Sequence, residues 1–282
     1  GGKRRVRIIT WFFGDEGLEE LRRDLEELGI KASKIYSRKR KSGSEHAIKI
    51  NSKAFSTHLI KLGAVIGKKS TKEFYVPNWI KESPLWIKAN FLAGLFGSDG
   101  SRPIIKGRET LPINLTFVKV KELEENLVEF LHDIKNILAE FEISSKIYKV
   151  LEYDGKVMYR LQIASEEDIY TFLTKIGYVY KSRGEILTTC EYLRRKIVNR
   201  IKRAEAKLIA IELYPSKSVT QIAQMLGVNK KLVERAVYEN VLDVRISEDF
   251  ETFEEFKEKY VKGGIIYDRI EKIEVVKSEY EK

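Results

Sequence analysis

The chain has 282 residues, 43% apolar and 33% charged, with a formal net charge of +10. That length supports more than one core, while no apolar run reaches the roughly 18 residues of a membrane span and no charged-then-apolar leader is visible. One cysteine, Cys190, excludes an internal disulfide and predicts a cytoplasmic protein. The abundance of Lys and Glu predicts a thermophilic source.

Alternation from Val6 to Phe12 predicts a strand, and Phe12–Gly17 reads as a strand-to-helix turn. Leu18, Leu21, Leu25 and Leu28 recur at helical spacing. Two strands, Ala32–Tyr36 and Ala47–Asn51, and a helix, Ser52–Leu62, are expected next. Between Lys31 and Lys72 stand twelve basic residues and one acidic residue, Glu45. Solvated surface mixes both signs, so this one-sided block predicts a face turned toward phosphate.

Ser83 and Pro84 open a further helix as cap and first-turn proline. It runs to Gly97 through Phe91-Leu92-Ala93-Gly94-Leu95-Phe96-Gly97-Ser98-Asp99-Gly100. Ala93, Gly94 and Gly97 remove bulk, so a second helix could approach closely. Asp99 is expected where the helix stops, with Gly100 free to adopt φ > 0.

The elements then recur. Lys34-Ile35-Tyr36 returns as Lys146-Ile147-Tyr148, and Lys61-Leu62-Gly63 as Lys175-Ile176-Gly177. Around these anchors stand a strand Ile113–Val118, a helix carrying Leu123, Leu127, Phe130 and Leu131, strands Ser145–Val150 and Met158–Ala164, and a helix Glu166–Ile176. A repeat this long predicts two pseudo-twofold halves. The expected domains are a first half at 1–80, a second at 81–181, a basic helical connector at 182–214, a helix-turn-helix at 215–248 and a C-terminal tail at 249–282. In the connector Arg194, Arg195, Lys196, Arg200, Lys202 and Arg203 could follow a nucleic-acid backbone. Ile222, Ala223, Leu226, Val228, Val233 and Ala236 supply the small core a helix-turn-helix needs. The face of its second helix carries Asn229, Lys230, Lys231 and Arg235. The tail reads as a strand pair after a glycine hinge at Gly263-Gly264.

Leu92, Ala93, Gly94, Leu95, Asp99 and Gly100 match the motif of the LAGLIDADG homing endonucleases, which the chain resembles over roughly residues 1–181. The tail resembles the C-terminal splice region of inteins, and an archaeal-like, intein-encoded member is the closest fit. The resemblance implies an α+β class with αββαββα repeats and antiparallel saddle sheets, followed here by the helix-turn-helix. It implies a monomeric, site-specific endonuclease that hydrolyses both strands of double-stranded DNA. Mg²⁺ would be held by Asp99 at the foot of paired helices, with Mn²⁺ as a substitute. By the same resemblance Lys181 and Lys68 would stand near the attacking water and Arg102 near the scissile phosphate. The first motif helix and its acid are expected upstream of Gly1.

A twisted ribbon can lie in the major groove. Lys31, Lys34, Tyr36, Arg38, Arg40 and Lys49 are the candidate DNA-binding residues of the first half. Lys106, Arg108, Lys146, Lys149 and Arg160 are those of the second, and Gln162 could position water. The alternative function is a non-cleaving DNA-binding regulator with a degenerate LAGLIDADG fold.

Overall fold

A computed structural model of the chain describes residues 9–13, 15–40, 43–180, 183–241 and 245–267. Strand β1 (Ile9–Phe13) leads into helix α1 (Asp15–Glu27), whose Leu18, Leu21 and Leu25 are buried. Leu28 lies one residue past that helix and is exposed, so the predicted stripe ends at Leu25. Strands β2 (Tyr36–Arg40) and β3 (Gly43–Ile50) form a hairpin in which Arg40 pairs with Gly43 and Tyr36 with Ala47. The pairing begins at Tyr36, so Ala32–Ile35 lead into the hairpin and are not themselves strand. Helix α2 (Lys53–Lys61) starts where the Ser52 hydroxyl accepts from the Phe55 amide.

A linker with a short 3₁₀ turn at Lys69–Thr71 leads to helix α3 (Asn78–Lys81) and then to α4 (Leu85–Asp99), the motif helix. A hairpin of β4 (Ile104–Lys106) and β5 (Glu109–Leu111) interrupts the repeat before β6 (Ile113–Val120). Helix α5 (Glu124–Glu140), strands β7 (Lys146–Tyr153) and β8 (Lys156–Ile163) and helix α6 (Glu166–Lys175) complete the second half.

The duplication read from the sequence appears as two antiparallel sheets of matching strand order, β1-β3-β2 and β6-β8-β7. In β6 the two-residue period buries Ile113, Leu115 and Phe117 and leaves Asn114, Thr116 and Val118 on the opposite face. Lys119 falls on the buried row. Its ammonium donates to Asn126 Oδ1 and lies 3.9 Å from the centre of the Phe74 ring, and burial holds its pKa below the ordinary lysine value. Asn126 also grips the linker: Oδ1 accepts from the Phe74 amide at 3.1 Å and Nδ2 donates to the Phe74 carbonyl at 3.1 Å. The linker is thereby built into the core of the second half.

Helix α7 (Arg183–Leu213) is one continuous rod of 31 residues. Beyond it α8 (Val219–Leu226) and α9 (Lys230–Val237) meet at Gly227, whose φ of 61° requires the left-handed conformation glycine supplies. Helix α10 (Phe253–Tyr260) and a minimal hairpin of β9 (Val261–Lys262) and β10 (Ile265–Ile266) follow. Gly263 and Gly264 form the turn of that hairpin and do not act as a hinge before it, because both adopt positive φ. Among the described residues no helix is long and apolar enough to cross a membrane.

Candidate nucleic-acid interface

The motif helix ends as expected, at Asp99, but its surroundings differ from the expectation. Gly100 has φ −85°, extended backbone open to any residue. It is held to glycine by space, since a Cβ there would lie 2.8 Å from the Phe96 ring and carbonyl. Ala93, Gly94 and Gly97 do permit a close approach, yet no second helix makes it among the described residues. The irregular segment Tyr178–Tyr180, in which Tyr180 adopts φ 62°, lies there instead. The Val179 amide donates to the Ala93 carbonyl at 3.3 Å, and a Cβ on Gly97 would come within 2.3 Å of the Val179 carbonyl oxygen. The same strap runs under α1, where a Cβ on Gly17 would meet the Tyr180 oxygen at 2.2 Å. The two small-residue faces thus seat one strand of backbone that joins the halves. The Tyr180 hydroxyl donates to Asp24 at 2.9 Å, and burial raises its pKa.

Asp99 is one-third exposed and accepts from Lys69 Nζ at 3.0 Å. Lys69 is the neighbour of Lys68, which is exposed. The sequence pointed to Lys68 and not Lys69; the residue that reaches Asp99 lies in the 3₁₀ turn that follows it. Lys181 lies outside the described residues. Arg102 turns toward α7 and pairs with Glu185 at 2.6 Å. No group of three or more His, Cys, Asp or Glu side chains among the described residues could hold a metal ion. A single carboxylate already paired with an ammonium does not fit the Mg²⁺ or Mn²⁺ of the resemblance, for which hard cations need several oxygen ligands.

The exposed face of the second sheet is more organised. Across the strands Asn114, Gln162 and Lys146 share one row, and Thr116, Arg160 and Tyr148 the next. Gln162 Nε2 donates to Asn114 Oδ1 at 3.0 Å and to the Tyr148 hydroxyl at 3.3 Å. Arg160 donates to Thr116 Oγ1 at 3.2 Å and to the Tyr148 hydroxyl at 3.3 Å. Tyr148 therefore fixes an amide and a guanidinium side by side, the two groups suited to reading purine edges. The arrangement echoes in the first half, where Lys49 sits 4.4 Å above the ring of Tyr36. Lys31, Lys34 and Lys146 are exposed and make no ion pair among the described residues. Arg38 and Arg40 lie on β2, and their side chains are outside the described set.

Other expected contacts are spent internally. Lys149 bridges Glu124 at 3.0 Å and Glu152 at 2.6 Å, and these bonds, Glu152 first, raise its pKa. Arg108 donates to the Phe250 carbonyl. Lys106 is exposed on β4. In α9, Asn229 caps the helix by accepting from the Lys231 amide at 2.9 Å. Lys230 pairs with Glu234 at 3.4 Å and Arg235 with Glu239 at 3.5 Å, leaving Lys231 exposed without an ion pair among the described residues.

The α7 connector is corrected most strongly. One stripe of it, Tyr192, Arg195, Asn199, Arg203 and Lys207, zips the returning chain to the rod. Tyr192 donates to the Glu251 carbonyl at 2.8 Å, Arg203 to the Arg245 carbonyl at 3.0 Å and Lys207 to the Val241 carbonyl at 2.7 Å. Asn199 accepts from the Ser247 amide at 3.2 Å. Lys196 is buried against Glu166, which Arg200 reaches at 3.0 Å and Thr110 at 2.6 Å. Arg194 pairs with Glu191 at 2.7 Å. Of these cations only Lys202 is exposed with no ion pair among the described residues. The connector's cations mainly hold α6, α10 and the segment between α9 and α10 in place. Spacing alone cannot distinguish a cation that caps a carbonyl from one that meets phosphate.

Residues 86–177 match the family model of the LAGLIDADG-like domain, and the mixed helix and antiparallel-sheet architecture is that fold. The chain is 48% identical over 96% of its length to the tRNA-splicing ligase RtcB of Methanocaldococcus jannaschii, of which it spans 31%. It is 33% identical over 92% of its length to the replication factor C small subunit of the same organism, of which it spans 14%. A solved structure of full-length DUF199/WhiA from Thermatoga maritima aligns over 83% of this chain and 82% of that one, at 18% identity and a TM-score of 0.39.

These findings correct the expected function. Four relatives matched over 96–100% of this chain, which spans 28–31% of each, are named as tRNA-splicing ligases and not as phosphodiester hydrolases. Double-strand cleavage is therefore not carried forward. Asp99, paired with Lys69, gives it no support either.

Proposed function

We propose that the chain is the nucleic-acid-binding part of an intein-type insertion carried within larger proteins, acting as a monomer in the cytoplasm. The chain aligns with a ligase and a replication factor at only 31% and 14% of their lengths, so it makes up a minor part of each. Its own chemistry is then that of its surface. The observation that carries this reading is the Tyr148-centred row, in which Arg160 and Gln162 are pre-oriented beside an exposed Lys146. The helix-turn-helix adds a second surface at Lys231 and Tyr238, both exposed.

Fluorescence anisotropy with a labelled random duplex of roughly 30 base pairs tests the proposal. Binding is expected at low salt, and Arg160→Ala should weaken it and flatten its salt dependence by about 0.9 in log–log slope, as loss of one phosphate contact would. Absence of binding at 50 mM salt, where backbone contacts are strongest, would overturn it. A second reading, that the partner is RNA, is favoured by the name of the ligase relatives. Tighter binding of an RNA duplex than of DNA in the same assay would move the module to RNA.

A further inference from the structure

The linker between the halves carries a feature the sheets and the helix-turn-helix do not use. A groove of about 500 Å³ opens between the end of α2 and the linker, lined by Ile60, Val65, Ile66, Lys72, Phe74 and Tyr75 among others. Its size falls within the roughly 300–1,000 Å³ of small-ligand pockets.

One end of the groove is closed by close packing. Gly63 has φ 105°, and a Cβ on it would come within 2.5 Å of Pro77 Cγ, so the two walls meet at one end by close backbone approach. Trp79 ties the same end, its indole nitrogen donating to the Leu62 carbonyl at 3.0 Å. Phe74, gripped by Asn126 and Lys119, forms the floor. Tyr75 and Trp79 nevertheless remain 48% and 46% exposed.

The rim gives the chemistry. Lys72 lines the groove and is exposed; Lys61, at the end of α2, and Lys68, in the adjoining loop, are exposed outside its lining. None of the three makes an ion pair among the described residues, and Glu73, the acidic lining residue, accepts from the Tyr75 hydroxyl at 3.3 Å. An exposed tyrosine ring beside a lysine in an apolar groove matches a base that stacks while its phosphate meets an ammonium group.

We propose that this groove binds an unpaired nucleobase of a single-stranded segment, with Tyr75 as the stacking surface, Trp79 beside the closed end, and Lys72, with Lys61 and Lys68 on the adjoining chain, meeting the flanking phosphates. The site is separate from the duplex-binding sheet and stands independently of it. The test is titration of the full chain with a twelve-nucleotide oligothymidine, within the ~4–16-nucleotide reach of single-strand sites, read by quenching of tryptophan fluorescence. Tyr75→Ala should weaken binding about tenfold, the loss of one stacked base. Tyr75→Phe should retain it, and neither change should alter affinity for the 30-base-pair duplex. Failure of oligothymidine to bind or quench, or equal binding by wild type and Tyr75→Ala, overturns the proposal and leaves the groove to a protein segment. Oligothymidine binding without duplex binding would overturn the duplex-binding reading while sustaining this one.

Discussion

Salt dependence separates cations that meet phosphate from those that hold the protein together. Each phosphate contact contributes about 0.9 to the slope of log affinity against log salt. For a fourfold rise from 50 to 200 mM that is roughly a 3.5-fold loss of affinity per contact. Lys34, Lys49, Lys146 and Lys231 are exposed, and none makes an ion pair among the described residues. Each lysine-to-alanine change at these positions that removes a contact should flatten the slope by about 0.9. Lys149 is already met by Glu124 and Glu152, and Lys196 and Lys207 are 3% exposed with their ammonium groups on internal acceptors. Lys149→Ala, Lys196→Met and Lys207→Met should leave the slope within error of wild type. The assay is anisotropy of one labelled duplex at five or more salt concentrations, with circular dichroism to confirm folding of each variant. If Lys207→Met flattened the slope as much as Lys146→Ala, the inward orientation of the α7 cations would be refuted.

Two further expectations address the motif helix and the sheet. Gly94→Ala, with nothing nearer than Val179 Cγ2 at 4.0 Å, should raise thermal stability by roughly the 1 kcal/mol of helix propensity. Gly97→Ala drives a Cβ to 2.3 Å from a backbone oxygen and should destabilise by ~1–3 kcal/mol of strain, so opposite shifts in melting temperature are expected. Glu152 has its pKa lowered to about 2, first by its bond to Lys121 and then by Lys149. A carboxylate depressed on folding stabilises above its unfolded pKa and loses that contribution as pH falls through the folded value. Carboxyl NMR should therefore find Glu152 titrating near pH 2, and Lys121→Ala should move it toward 4.5. A wild-type midpoint at the ordinary glutamate value would remove the contact from the solution structure.

Local pattern carried much of this protein. The duplication, the alternation of β6, the motif helix ending at Asp99 and the glycine turn of the helix-turn-helix were legible because each depends on residues a few positions apart. The β4–β5 hairpin and α10 were missed, since three-residue strands and an eight-residue helix offer too few periods to read. What only the tertiary structure decided is which partner each polar group takes. Lys69 rather than Lys68 reaches Asp99, a backbone strap rather than a helix fills the small-residue groove, and the basic rod spends its cations on carbonyls and carboxylates. These pairings join residues tens of positions apart. Coulombic and hydrogen-bond energies depend on separation and direction in space, which neither charge count nor periodicity specifies.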